Sequence, residues 1–109
     1  MPRRSIWAVT ILCALTGAAP PLRAEPPSLF SGGDGLSKEH AVVIHAKRED
    51  DGDKVEYIWI RQNHPGVKVE RQSLISVDGR PYDCFDVVAT DGSRQKYYFD
   101  ISEYFGKLD

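Results

Sequence analysis

The sequence predicts an α+β domain, one helix packed on an antiparallel sheet in the order β-α-β-β-β, closing in a C-terminal meander. Three observations carry this. Asp78-Gly79 and Asp91-Gly92 separate three β-prone runs. Asp-Gly between such runs is a strong hairpin signal, because the favoured two-residue turn takes positive φ at both central positions. Residues 53–64 place Val55, Ile58, Trp59 and Gln62 at helical spacing before the stop at Pro65-Gly66. A short β-branched run, residues 41–46, stands ahead of that helix.

The chain begins with Arg3-Arg4, an apolar run from Ile6 to Ala19, and Ala24 ahead of Glu25-Pro26-Pro27. A basic start, a short apolar middle and a small residue at the end read as a secretory signal peptide over residues 1–24. The run is too short for a spanning helix, which needs roughly 20 residues, so no membrane anchor is expected. The protein is expected to be periplasmic or secreted. Removing residues 1–24 from 109 leaves 85, enough for one domain. Removing Arg3, Arg4 and Arg23 from 14 basic side chains leaves 11 against 16 acidic ones, a net charge near −5. That balance argues against nucleic acid, which needs clustered Lys and Arg. Cys84 is then the sole thiol, so no internal disulfide is expected and the fold must rest on its apolar core.

Residues 25–37, rich in Pro, Gly and Ser, read as a flexible lead-in to a single domain over 38–109. Gly32-Gly33-Asp34-Gly35 lacks the ending of a phosphate loop. Residues 47–54 are nearly all charged and read as a solvated loop whose spacing does not fit an EF-hand. Residues 53–64 also alternate as a strand would. The stop signal and the need for a cover over the sheet select the helix, with Asp53 as its cap. Strands follow at 67–77, 81–90 and 94–101, and residues 102–106 close in a short helical turn.

If both Asp-Gly turns are two-residue loops, the register aligns Ile75, Tyr82 and Ile101; Ser73, Cys84 and Phe99; Arg71, Asp86 and Tyr97; and Val69, Val88 and Gln95. This face is the expected core. The opposite face aligns Leu74, Asp83 and Asp100; Gln72, Phe85 and Tyr98; and Glu70, Val87 and Lys96. Cys84 is thus expected to be buried and inert. Arg71 and Asp86 read as a register-fixing pair, and Asp83 with Asp100 as a wet carboxylate pair. His40 and His45 point to opposite faces and cannot share a metal, while His64 sits at the helix end. No catalytic residue, cofactor or metal site is expected. Phe85 and Tyr98, with Val87 and Leu74 nearby, form the expected exposed patch, and such patches mark protein contact surfaces.

His64-Pro65-Gly66-Val67, Tyr82-Asp83, Asp91-Gly92 and Tyr98-Phe99-Asp100 resemble the repeat of PepSY-like domains, small exported bacterial modules with a helix on an antiparallel sheet. The resemblance covers residues 53–101; the first strand and the aromatic tail depart from it. Tyr98 to Ile101 with Phe105-Gly106 also resembles the ending of small exported bacterial proteins of unknown function. The PepSY resemblance implies a non-catalytic binding or inhibitory role, often toward peptidases. The expectation is therefore an exported protein-binding module that is not an enzyme. The alternatives are an inhibitor of a peptidase or lysozyme-like hydrolase, and a small hydrolase or metal-dependent enzyme.

Overall fold

The computed structural model describes residues 28–108; the signal peptide expected over 1–24 lies outside them. The elements are β1 (Phe30–Gly32), β2 (Val42–Ile44), α1 (Glu49–Asn63), β3 (Lys68–Val77), β4 (Arg80–Val88) and β5 (Arg94–Asp100). One helix lies on a five-stranded sheet of order β1-β2-β5-β4-β3, the α+β architecture that the sequence predicts. All neighbouring strands are antiparallel except β2 and β5. The parallel pair follows from connectivity. Helix α1 returns the chain to its starting end, so β3 runs with β2, and two hairpin reversals give β5 that direction again.

One strand is added and one element begins earlier than expected. The lead-in supplies β1, which pairs with β2, so residues 30–32 are not a flexible segment. Helix α1 starts at Glu49 rather than Asp53 and takes in most of the charged loop. Arg48 offers no side-chain cap. The C-terminal tail caps instead: the Glu49 amide donates to the Lys107 carbonyl at 2.8 Å. Glu49, Asp50 and Asp51 in the first turn suit the positive end of the helix dipole. The helix ends where expected, with the His64 amide donating to Ile60 and Pro65-Gly66 beyond.

The two hairpins differ. Asp78 and Gly79 both have positive φ, 53° and 79°, and Val77 pairs with Arg80 across a two-residue turn. The second loop has three residues, Thr90-Asp91-Gly92. The Gly92 amide donates to the Ala89 carbonyl and the Ala89 amide to the Ser93 carbonyl, both at 2.9 Å. Only Gly92, at φ 88°, takes positive φ there. Asp91 holds the loop by accepting from the Ser93 amide at 2.9 Å and the Ser93 hydroxyl at 2.7 Å.

That one residue shifts the β4–β5 register, so Phe85 pairs with Tyr97, Cys84 with Tyr98 and Asp83 with Phe99. A one-residue slip moves a whole side-chain set to the other face. The expected core face of β4 is corrected accordingly: Asp83, Phe85 and Val87 face α1, while Tyr82, Cys84 and Asp86 face away. The β3–β4 register is as expected from Val77 to Arg71, and a bulge at Glu70 then pairs Val69 with Val87.

The core under α1 joins Val42, Ile44, Val55, Trp59, Phe85, Val87, Tyr97, Phe99, Ile101 and Tyr104. Trp59 meets Tyr97 and Phe99 edge-on, each with ring centroids 5.4 Å apart. Phe85 meets Phe99 at 5.1 Å, and His64 stacks on Tyr97 at 4.4 Å. Complete burial of each phenylalanine contributes roughly 1.5–3 kcal/mol. The inner face of α1 is Gly52, Val55, Glu56, Trp59 and Ile60. Gln62, expected to face inward, is exposed, and a glutamate takes an inner position.

Candidate functional site

Glu56 is fully buried, at 0% exposure, and draws two further carboxylates around it. Asp53 lies one turn earlier on the same helix face, and Asp83 faces the helix from β4. Oxygens of the three carboxylates all lie within 4.8 Å of one another. The tail completes the enclosure. The Tyr104 amide donates to the Ile101 carbonyl at 3.2 Å, and the Gly106 amide to Glu49 Oε2 at 2.7 Å. The Tyr104 ring packs against Gly52, where an added Cβ would stand 2.2 Å from Cζ. Only glycine at position 52 lets the ring lie there, with its hydroxyl beside Glu56.

The electrostatics are uncompensated. Among the described residues no Lys, Arg or His forms an ion pair with Asp53, Glu56 or Asp83. Asp83 accepts one hydrogen bond, from Gln72 Nε2 at 3.2 Å. Among the described residues no group stands at close hydrogen-bonding distance from either Glu56 oxygen or the Tyr104 hydroxyl. Burial, then Asp83, as acceptor for the protonated form and as a charge, and then the charge of Asp53 push the Glu56 pKa up to about 11. Burial, then Asp83, Glu49 and Asp50, raise Asp53. Asp53 is exposed, so the cluster opens to water on its side.

The reverse face of the sheet is the opposite case. Tyr98 and Leu36 line an open hollow of about 640 Å³, rimmed by Glu70, Arg71, Asp86, Arg94 and Lys96. Its charges are paired: Arg94 with Glu70, and Lys96 with Asp86, both at 2.5 Å. Arg71 reaches the same Asp86 at 3.9 Å with its side chain 73% exposed. The Lys96 hydrogen bond holds the Asp86 carboxyl below its usual range.

A third constellation joins β1, the residue after β2 and the tail. Ser31 Oγ lies 2.8 Å from His45 Nε2, and His45 Nδ1 lies 2.8 Å from Glu103 Oε2. With Glu103 accepting, Nδ1 carries the proton and Nε2 accepts from the serine hydroxyl. Nucleophile, base and orienting carboxylate stand in the order that acyl transfer uses. The His45 and Glu103 side chains are 36% and 50% exposed, and neither hollow nor cluster described above includes them.

The expected contact residues do not form one surface. Phe85 and Val87 are core residues, at 0% and 2% exposure, because the three-residue loop turns them under α1. Tyr98 stays on the reverse face, while Leu74, 57% exposed, pairs with Asp83 and lies beside Phe105 at the first hairpin. Cys84 is buried as expected, next to Tyr98 rather than Phe99, and burial raises its thiol pKa. Arg71 and Asp86 pair as expected but on the reverse face. Asp83 and Asp100 are separated by the sheet, and Asp100 bonds Arg80 at 3.0 Å. Asp50 and Asp51 turn to Arg48, leaving Asp53 to the cluster.

Glu56, Tyr104, Ser31 and Glu103 were not legible as site residues. A glutamate three positions after Asp53, on the face shared with Val55 and Trp59, is the one available signal for the buried cluster. No family model, curated protein or solved structure matches the chain. Among the described residues no helix is long and apolar enough to cross a membrane.

Proposed function

We propose that the chain is an exported, non-catalytic protein-binding module whose partner presents an extended acidic segment to the reverse face of the sheet. The observation that supports this is the hollow over Tyr98 and Leu36, where three cations stand against two carboxylates in a chain of net charge −2. Local positive charge around an aromatic floor selects an acidic occupant and speeds its encounter. Arg71 is the rim charge freest to change partners. The binding role is also what the PepSY resemblance implies.

Selection of a displayed random-peptide library on the protein tests this. The expected winners are rich in Asp and Glu around an apolar residue. Their affinity falls roughly tenfold or more when Arg71, Arg94 and Tyr98 are replaced together by alanine, and holds in Phe105→Ala. Winners without acidic residues, or winners indifferent to the triple change, overturn the reading.

A second reading, a small hydrolase, is favoured by the Ser31–His45–Glu103 line alone. It requires hydrolysis of an activated aryl ester that Ser31→Ala and His45→Ala each abolish. Turnover equal in wild type and both variants removes it.

A further inference from the structure

We propose that Asp53, Glu56 and Asp83 bind one hard divalent cation of the calcium or magnesium class, with the Tyr104 hydroxyl oxygen at its edge. Two separate observations meet here. The first is the geometry: carboxylate oxygens from two elements all fall within 4.8 Å of one another, a spacing that a small side-chain adjustment brings to the Ca–O distances of about 2.4 Å that one ion needs. The second is that every orphaned buried atom among the described residues faces this same spot. They are Glu56 Oε1, Glu56 Oε2 and Tyr104 Oη. Buried polar atoms without partners are rare, and an ion is one of the few things that satisfies several at once.

A proton on Glu56 is the competing way to neutralise the cluster. It removes one charge and lets Glu56 donate to Asp83, while the Tyr104 hydroxyl can donate to the other Glu56 oxygen. Asp53 and Asp83 would still face each other, and among the described residues no cationic side chain is paired with either. A divalent ion neutralises two charges and gives each orphaned oxygen a partner. The donor set is all oxygen, with neither Cys nor His in the cluster, which disfavours zinc and copper. Exposed Asp53 supplies the entry path, and water fills the coordination positions on its side. The tail, clamped to α1 through Glu49, closes the inner wall.

The test uses chelator-stripped protein titrated separately with Ca²⁺, Mg²⁺ and Zn²⁺ in a calorimeter, with thermal unfolding in parallel. The expected result is one equivalent of Ca²⁺ or Mg²⁺ bound and a higher melting temperature. Asp53→Asn is the decisive variant, because an exposed residue can change without disturbing the core. It should keep the wild-type far-ultraviolet dichroism and lose affinity by roughly tenfold or more. Asp83→Asn should lose binding as well. Absent heat with unchanged melting for both Ca²⁺ and Mg²⁺, binding of Zn²⁺ alone, or undiminished binding in Asp53→Asn would each refute the site.

Discussion

The two faces of strand β4 treat a carboxylate in opposite ways. Asp86 faces away from the helix, where Lys96 and Arg71 hold it ionised at the wet rim of a hollow. Asp83, three residues earlier, faces the helix, where Glu56 and Asp53 crowd it and no Lys, Arg or His among the described residues pairs with it. The difference is one of dielectric and supply. On the reverse face water screens the charges and long basic side chains can reach in, so ion pairs form and contribute little. Beneath α1 the space is filled by aromatic rings and Tyr104, and each unanswered charge is costly. A negative cluster kept in the less forgiving place points to a ligand. A network with one cation in excess in the more forgiving place is what the proposed docking surface uses.

The largest expected effect tests which face holds the core. Phe85→Ala removes a ring that touches Tyr57 and Phe99 and should cost about 3–5 kcal/mol in denaturant unfolding. Tyr98→Ala, on the reverse face, should cost clearly less. Equal losses would mean that the two faces are not distinguished by packing.

Next is the wall of the acidic cluster. In an exposed helix Gly→Ala would gain about 1 kcal/mol. Gly52→Ala should instead destabilise by about 1–3 kcal/mol, because its Cβ would strike a buried ring. A stabilised variant would show that Tyr104 does not pack there.

A smaller effect follows from Glu56. Its folded pKa lies far above the unfolded value, so between the ordinary carboxylate range and about pH 11 the folded state holds a proton that the unfolded state has released. Stability of the chelator-stripped protein should therefore be full in acid and fall as pH rises through that window. Glu56→Gln should flatten the profile. A slope that survives the substitution would assign it to another group.

The smallest effect is expected at Asp86→Asn. The melting temperature should barely move, and the little change seen should vanish in high salt, as exposed pairs behave.

The paired Asp-Gly turns show how much was legible. The helix stop at Pro65-Gly66, the three meander strands and the first turn were readable, because each depends on residues adjacent in sequence. The second turn shares the dipeptide but not the geometry. Asp91 bonds Ser93 rather than entering positive φ, and the loop gains Thr90. Serine directly after Asp91-Gly92, where the first turn has Arg80-Pro81, was the local signal. The extra loop residue places Phe85 and Val87 in the core rather than on the surface and turns Cys84 to the reverse face.

Periodicity, turn residues and apolar content by themselves determined that this chain makes one helix and a meander, since those preferences act over a few neighbouring residues. Tertiary structure alone decided the helix start, because a tail carbonyl nearly sixty residues away caps Glu49. It also decided the company of Glu56: Asp83 and Tyr104 meet it only after strand register and tail docking are set, and neither is encoded in any short window of sequence.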